Sequence, residues 1–336
     1  MTPDRYPTSG VPFYNGKRVV VTGATGLIGS YVVKLLKESG ARVFAVVHKR
    51  PPNEFAVMAD DVCQANLMNP RDVREAMIGP DREGVDVVLS CAGITGGVGL
   101  TKVDPVSYAG PATNLVINTL HAAHEAKVER FGFLSSTTVY AARETPVEET
   151  DELIGDPYPL YYGIGHSKRF LERLCRYYHE RTGLKVAIVR PSGAYGRFDN
   201  FEEGTSHVIP GMISRALALK NGDPFEVWGD GGDTRDFVHA QDVAMGFLLA
   251  VAKTTRGDPI NLASGVGITT GELAKTVLQA VGSRAEVRFN TEKLTAMRTR
   301  LVSIERAKST LGFKPSIPLE HGLVDTVRWL KEVRNT

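Results

Sequence analysis

The chain has 336 residues, well beyond the ~100–200 of one ordinary domain, so a large α/β unit with an added lobe is expected rather than one small module. Lys and Arg number 40 against 38 Asp and Glu, a net charge of +2, which argues against a nucleic-acid partner held by a broad basic surface. Charged residues at 23% and hydrophobic ones at 42% exclude disorder, and three scattered cysteines (Cys63, Cys91, Cys175) exclude a disulfide framework or a zinc knuckle.

No run of ~18 apolar residues is present, and the first residues carry neither an apolar h-region nor a cleavage site. A soluble, cytoplasmic protein with no membrane partner and no metal site is expected.

Residues 1–15, rich in Pro, Tyr, Ser and Thr, read as a surface arm. An apolar β-branched run at 17–22 leads through glycines into a helical pattern of Leu27, Ile28, Tyr31, Val32, Leu35 and Leu36. Further strands read at 42–47, 85–90, 130–135 and 185–189, with helices at 70–77, 111–126 and 165–182. Strands alternating with helices mean right-handed βαβ units, and so an α/β fold with a doubly wound parallel sheet of the Rossmann type. After about residue 190 the rhythm breaks into short segments dense in Gly, Pro and Asn, before a last helix at 319–333. The expected division is 16–190 for a dinucleotide-binding domain, to which a later strand and helix return, and 191–336 mainly for a smaller C-terminal substrate lobe.

Gly23, Gly26 and Gly29 form Gly-x-x-Gly-x-x-Gly between the first strand and helix. The first glycine permits the turn, the second lets the amides around Leu27 and Ile28 reach a pyrophosphate, and the third lets helix and strand pack. At the end of the second strand an NAD site would carry an acid for the ribose diol. Here stand His48, Lys49 and Arg50, cations suited to the 2′-phosphate of NADP, with NAD the alternative. Asn66 stands where an adenine contact is expected.

These features are similar to those of the extended short-chain dehydrogenase/reductases, the NAD-dependent epimerase/dehydratase family, which act on nucleotide sugars. The resemblance runs from about residue 16 to the end. It is carried by Ala92-Gly93-Ile94-Thr95-Gly96-Gly97, Leu134-Ser135-Ser136-Thr137-Thr138-Val139-Tyr140, Tyr195-Gly196-Arg197-Phe198-Asp199-Asn200-Phe201, Ser206-His207-Val208-Ile209-Pro210 and Thr234-Arg235-Asp236-Phe237-Val238-His239. The C-terminal half most resembles the GDP-L-fucose synthase group.

The resemblance implies a redox triad of Ser, Tyr and Lys. Ser136 and Lys168 match, but the position four before Lys168 is Ile164. Tyr161 and Tyr162, seven and six before the lysine, are the available substitutes. The group also uses a Cys and a His as two bases; His207 matches the His, while the Cys position holds Thr138, whose hydroxyl is a poor base. For a GDP-sugar diphosphate the resemblance points to Arg235, Arg298 and Arg300, with Asn200, Trp228 and the Val208 backbone nearby. Asp242 is expected to brace the 235–239 turn. Cys91 reads as a small buried hydrophobe.

Four functions stay open. They are an epimerase of a GDP-hexose with His207 as acid or base, a redox-free pyranose–furanose mutase in which the dinucleotide is structural, an epimerase–reductase rescued by Tyr161 or Tyr162, and an inactive NADP or nucleotide sensor. The family further implies a homodimer through the helix that carries Lys168.

Overall fold

The computed structural model describes residues 10–94, 105–220, 222–293 and 297–335. Residues 1–9 of the N-terminal arm and 95–97 of the 92–97 motif lie outside them.

Seven parallel strands form the central sheet, in the order β10-β6-β5-β4-β1-β2-β3. They are β1 (Arg18–Thr22), β2 (Arg42–Val47), β3 (Asp61–Gln64), β4 (Val87–Ser90), β5 (Arg130–Leu134), β6 (Lys185–Pro191) and β10 (Arg256–Leu262). The fold class expected from the alternation of strands and helices is the one found. The inner strands are apolar without interruption because both faces are covered. Val19 and Val21 of β1 pack under α1 (Leu27–Glu38) and α6 (Ala240–Lys253). Val20, Phe131 and Phe133 face α2 (Pro70–Ile78), α3 (Pro105–Glu125) and α4 (Tyr162–Thr182). Strand order reverses between β1 and β4, so a crevice opens beyond their carboxyl ends, the place where such sheets bind ligands.

The rest of the chain adds β7 (Gly193–Tyr195), α5 (Val208–Ala218), β8 (Phe225–Trp228), β9 (Thr234–His239), β11 (Gly267–Thr269), α7 (Thr270–Val281), β12 (Val287–Asn290), β13 (Thr299–Arg300) and α8 (Leu319–Asn335). Ile213, Phe225, Leu273, Val277 and Leu323 close a separate core there. Among the described residues no helix is long and apolar enough to cross a membrane.

Three elements differ from the sequence reading. β3 was not expected: its four residues are polar at both ends and only partly covered, so no apolar run marks it. The strand read at 85–90 is therefore fourth in chain order. α3 begins at Pro105 and carries Pro111 inside it. α4 begins at Tyr162, three residues early, across Gly163 and Gly165. Glycines there resemble a helix break, yet a Cβ on residue 165 would lie 2.5 Å from both Pro157 and the Thr138 carbonyl. That close approach sets the helix against the turn that carries the candidate chemistry.

Candidate functional site

The glycine loop leaves β1 at Thr22. Gly23 has φ +65°, and a Cβ there would meet the Ala92 backbone at 2.7 Å; one on Gly29 would sit 2.1 Å from the Gly23 carbonyl. Gly26 caps α1 with no side-chain hydrogen bond. The first-turn amides, among them those of Leu27 and Ile28, thus stay free at the positive end of the helix. These residues fit the pyrophosphate of a dinucleotide. His48, Lys49 and Arg50 are exposed beyond β2, and the His48 carbonyl accepts from Gln64 at 2.9 Å. Asn66 is exposed, its side-chain oxygen closing a turn on the Met68 N–H at 3.0 Å.

Beyond β5, Ser136 caps a single helical turn, its Oγ accepting from the Thr138 N–H at 3.1 Å. The Thr138 hydroxyl is buried with no hydrogen-bond partner. Lys168 Nζ donates to the Leu134 carbonyl at 3.0 Å and lies 4.8 Å over the Phe133 ring. Burial lowers its pKa to about 8. Ile164 stands one helical turn before it, where the triad needs a phenol.

The phase of α4 separates the two tyrosines. The helix runs without interruption from Tyr162, so Tyr162, six residues before Lys168, is turned about 120° away from it. Its exposed ring rests 4.5 Å from the His166 ring. Tyr162 therefore stands on another face of the helix than Lys168. Tyr161, seven before, returns to the Lys168 side about 4.5 Å too far along the axis, and its ring lies under the Arg300 guanidinium at 5.1 Å.

His207 caps α5 without a side-chain bond of its own to the helix. Its Nδ1 is 3.4 Å from Asp199 Oδ1, and that carboxylate raises the imidazole pKa above its ordinary value. Asp199 is in turn held by the Asn200 N–H at 2.7 Å, while its second oxygen is buried and unpartnered. Arg300 opposes the rise with its positive charge and donates from Nη2 to the Thr137 hydroxyl at 2.8 Å. The Ser136–Thr138 turn, Tyr161, Arg300 and His207 thus come together from four distant stretches of chain. Asp199 had no assigned role in the sequence; a partner eight residues away in a loop leaves no periodic signal.

The arginines expected at a diphosphate part company. Arg235 is mostly buried, donating to the Thr234 carbonyl at 2.9 Å and to the Met297 carbonyl. Arg298 turns outward to Asp230 at 2.6 Å and Asp233 at 3.5 Å, so its charge is already matched. Trp228 is half-exposed under Lys293, 5.1 Å from its ring. Asn200 donates to the Thr205 hydroxyl at 2.9 Å. Val208 opens the uncapped first turn of α5. Asp242 does not brace the 235–239 turn: it accepts from the Ser316 and Ile317 N–H groups at 3.0 Å, tying α6 to the segment before α8. Cys91 is partly covered and packs against the main core, as a small hydrophobe does, and burial pushes its thiol pKa up.

The description "NAD dependent epimerase/dehydratase family" matches residues 19–263. The dTDP-4-dehydro-6-deoxy-D-allose reductase of a Streptomyces species is 30% identical over 98% of this chain and 99% of its own. The GDP-L-fucose synthase of Escherichia coli K12 is 28% identical over 94% of this chain and 97% of its own. The UDP-glucose 4-epimerase of Thermotoga maritima shares the fold with a TM-score of 0.81, at 24% identity over 94% of this chain and 99% of its own. A match over most of the chain, around an intact glycine cradle, makes this protein a member of the NAD dependent epimerase/dehydratase family, in the company of nucleotide-sugar epimerases and reductases.

Proposed function

We propose that the chain is a cytoplasmic epimerase of a nucleotide sugar, a GDP-hexose, with NADP as its dinucleotide. The observation that carries this reading is His207: an imidazole bound to Asp199, beside Arg300, at the mouth of an uncapped helix N-terminus. Asp199 favours the protonated ring, so His207 can give a proton to a sugar carbon and take one back. The cofactor, when bound, supplies hydride exchange. Lys168 holds its ribose, and Ser136 faces the sugar hydroxyl or keto oxygen. The unpartnered Thr138 hydroxyl accepts or donates one further sugar hydrogen bond. Arg235, Arg300 and the first amides of α5 take the diphosphate, as guanidinium forks and a helix N-terminus suit that group. His48 and Arg50 take the 2′-phosphate.

In this reading residues 16–190 with α6 and β10 hold the dinucleotide and most of 191–336 hold the sugar nucleotide. The protein acts as a homodimer through the face of α4 that exposes Tyr162, Phe170 and Tyr177.

Two observations favour other outcomes. Ile164 in the phenol position and Thr138 in the second-base position favour the redox-free ring mutase. Tyr161 under Arg300, together with the similarity to a keto-sugar reductase, favours a reductase. One experiment decides among the three. Purified protein is incubated in D2O with GDP-mannose, GDP-L-galactose or a GDP-4-keto-6-deoxyhexose, with NADP+, with NADPH and with neither. Deuterium at C3 or C5 marks epimerisation, NADPH consumption marks reduction, and a changed ring size with neither marks the mutase. No reaction across the panel rejects all three.

A further inference from the structure

Lys168 and Glu172 stand one turn apart on α4, so their side chains share a face, and both grip the carboxyl end of β5. Lys168 holds the Leu134 carbonyl. One residue on, the Ser135 hydroxyl donates to Glu172 Oε1 at 2.5 Å, and the residue after that is Ser136. Glu172 is only 1% exposed. From its far side Arg190, fully buried, donates through Nε and Nη2 to the two carboxylate oxygens at 2.9 and 2.5 Å.

Arg190 is shared with Glu152 and also donates to the Tyr140 hydroxyl at 2.8 Å and the Glu149 carbonyl at 2.9 Å. Glu152 takes a second cation, Arg176, at 3.1 Å. Arg306 lies 3.7 Å from Glu149, and Arg169 donates to the Val139 carbonyl at 2.8 Å. Cys175, on the same helix, is buried. Glu172 is thus the carboxylate that offsets the desolvated Lys168 ammonium. Glu152 and Glu149 have cations of their own in Arg176 and Arg306, so without Glu172 the partly buried Lys168 ammonium would lose the carboxylate one turn away on its own helix face, and an ammonium withdrawn from water without a counter-charge gives up its proton more readily. The direction of the pKa effects agrees: burial lowers Lys168 and Glu172 opposes it, whereas burial raises Glu172 and the Ser135 hydrogen bond opposes that.

The geometry points to Glu172 as a positioning residue of this site, the counter-charge of the Lys168 ammonium and the anchor of the strand end that presents Ser136. It touches neither substrate nor cofactor. The inference rests on the assignment of Lys168 and Ser136 given above, but its test reads the chain alone.

The full-length protein, with 15N-labelled lysine and no nucleotide, is titrated by NMR, and the Lys168 signal is assigned by its loss in Lys168→Arg. Glu172→Gln keeps an acceptor for Ser135 and removes the charge. The Lys168 midpoint is expected to move to lower pH by roughly a tenfold loss of proton affinity. Ser135→Ala keeps the charge and is expected to leave that midpoint in place. An unmoved midpoint in Glu172→Gln, or an equal shift in Ser135→Ala, overturns the proposal. Where the Gln variant does not fold, the unsubstituted protein serves: the Lys168 signal is expected to bend again at the Glu172 midpoint, read from carboxyl 13C, and a signal blind to Glu172 overturns it. No turnover is measured, so a failed epimerase reading leaves this result standing.

Discussion

Arg300 donates to the Thr137 hydroxyl across 163 positions of sequence, and in doing so fastens the second lobe onto the turn between Ser136 and Thr138. The same guanidinium covers the Tyr161 ring and bears on His207. A phosphate is a stronger partner for a guanidinium than a neutral hydroxyl. In the proposed function an incoming diphosphate draws Arg300 off Thr137.

Arg300→Gln is expected to weaken GDP binding by ~1–3 kcal/mol, the usual scale for a charged hydrogen bond lost. Arg298→Gln is expected to leave it close to the original, because Asp230 already takes that charge. Calorimetry with GDP reads both. Equal losses would place Arg298 in the site and undo the distinction.

His207→Ala is expected to abolish solvent exchange at the sugar carbon while nucleotide binding persists. Asp199→Asn is a finer probe. The carboxylate favours the protonated imidazole, so its neutral replacement lowers the His207 pKa toward or below the ordinary value. The limb of the pH–rate profile that reports His207 should then move to lower pH, and a limb that stays put removes Asp199 from the mechanism.

Ile164→Tyr places a phenol on the Lys168 face, one turn away, as redox members of the family have it. NADPH oxidation in the presence of a 4-keto sugar is expected to rise above the unsubstituted level. Tyr161→Phe should leave epimerisation intact. Loss of NADPH consumption in the Phe variant would instead identify Tyr161 as the working phenol.

Gly29→Ala drives a methyl group against the Gly23 carbonyl, which the backbone must move to accommodate. A cost of ~1–3 kcal/mol is expected, seen as a lower Tm together with weakened NADP binding. A variant with unchanged Tm and unchanged affinity would show that the loop tolerates a Cβ there.

The proposed dimer face is tested by Phe170→Glu with Tyr177→Glu. Both side chains are exposed on α4, so the fold should persist while the mass in sedimentation falls to that of one chain. A protein that is monomeric before substitution rejects the interface.

The dinucleotide half was legible from residue pattern because its causes are local. Apolar β-branched runs such as 18–22 and 42–47 can be buried on both faces only in a parallel sheet, and Gly23, Gly26 and Gly29 at that spacing have few uses other than a turn into a helix N-terminus. Ser136, Lys168 and His207 stand at motif positions that can be read off the chain, and Ile164 in place of a tyrosine is plain by counting.

What the linear order could not decide was direction in space. Tyr161 and Tyr162 are adjacent, yet the phase of α4, fixed by Gly165 against Pro157 and the Thr138 carbonyl, sends one under Arg300 and the other to solvent. Arg298 and Arg300 are two residues apart, but Asp230 captures the first while Thr137 receives the second. Asp199 and Glu172 gained their roles only when the chain brought them to His207 and to Ser135. Each outcome depends on partners distant in sequence competing for one charged group, and that competition is settled by distance and burial, which only the folded chain defines.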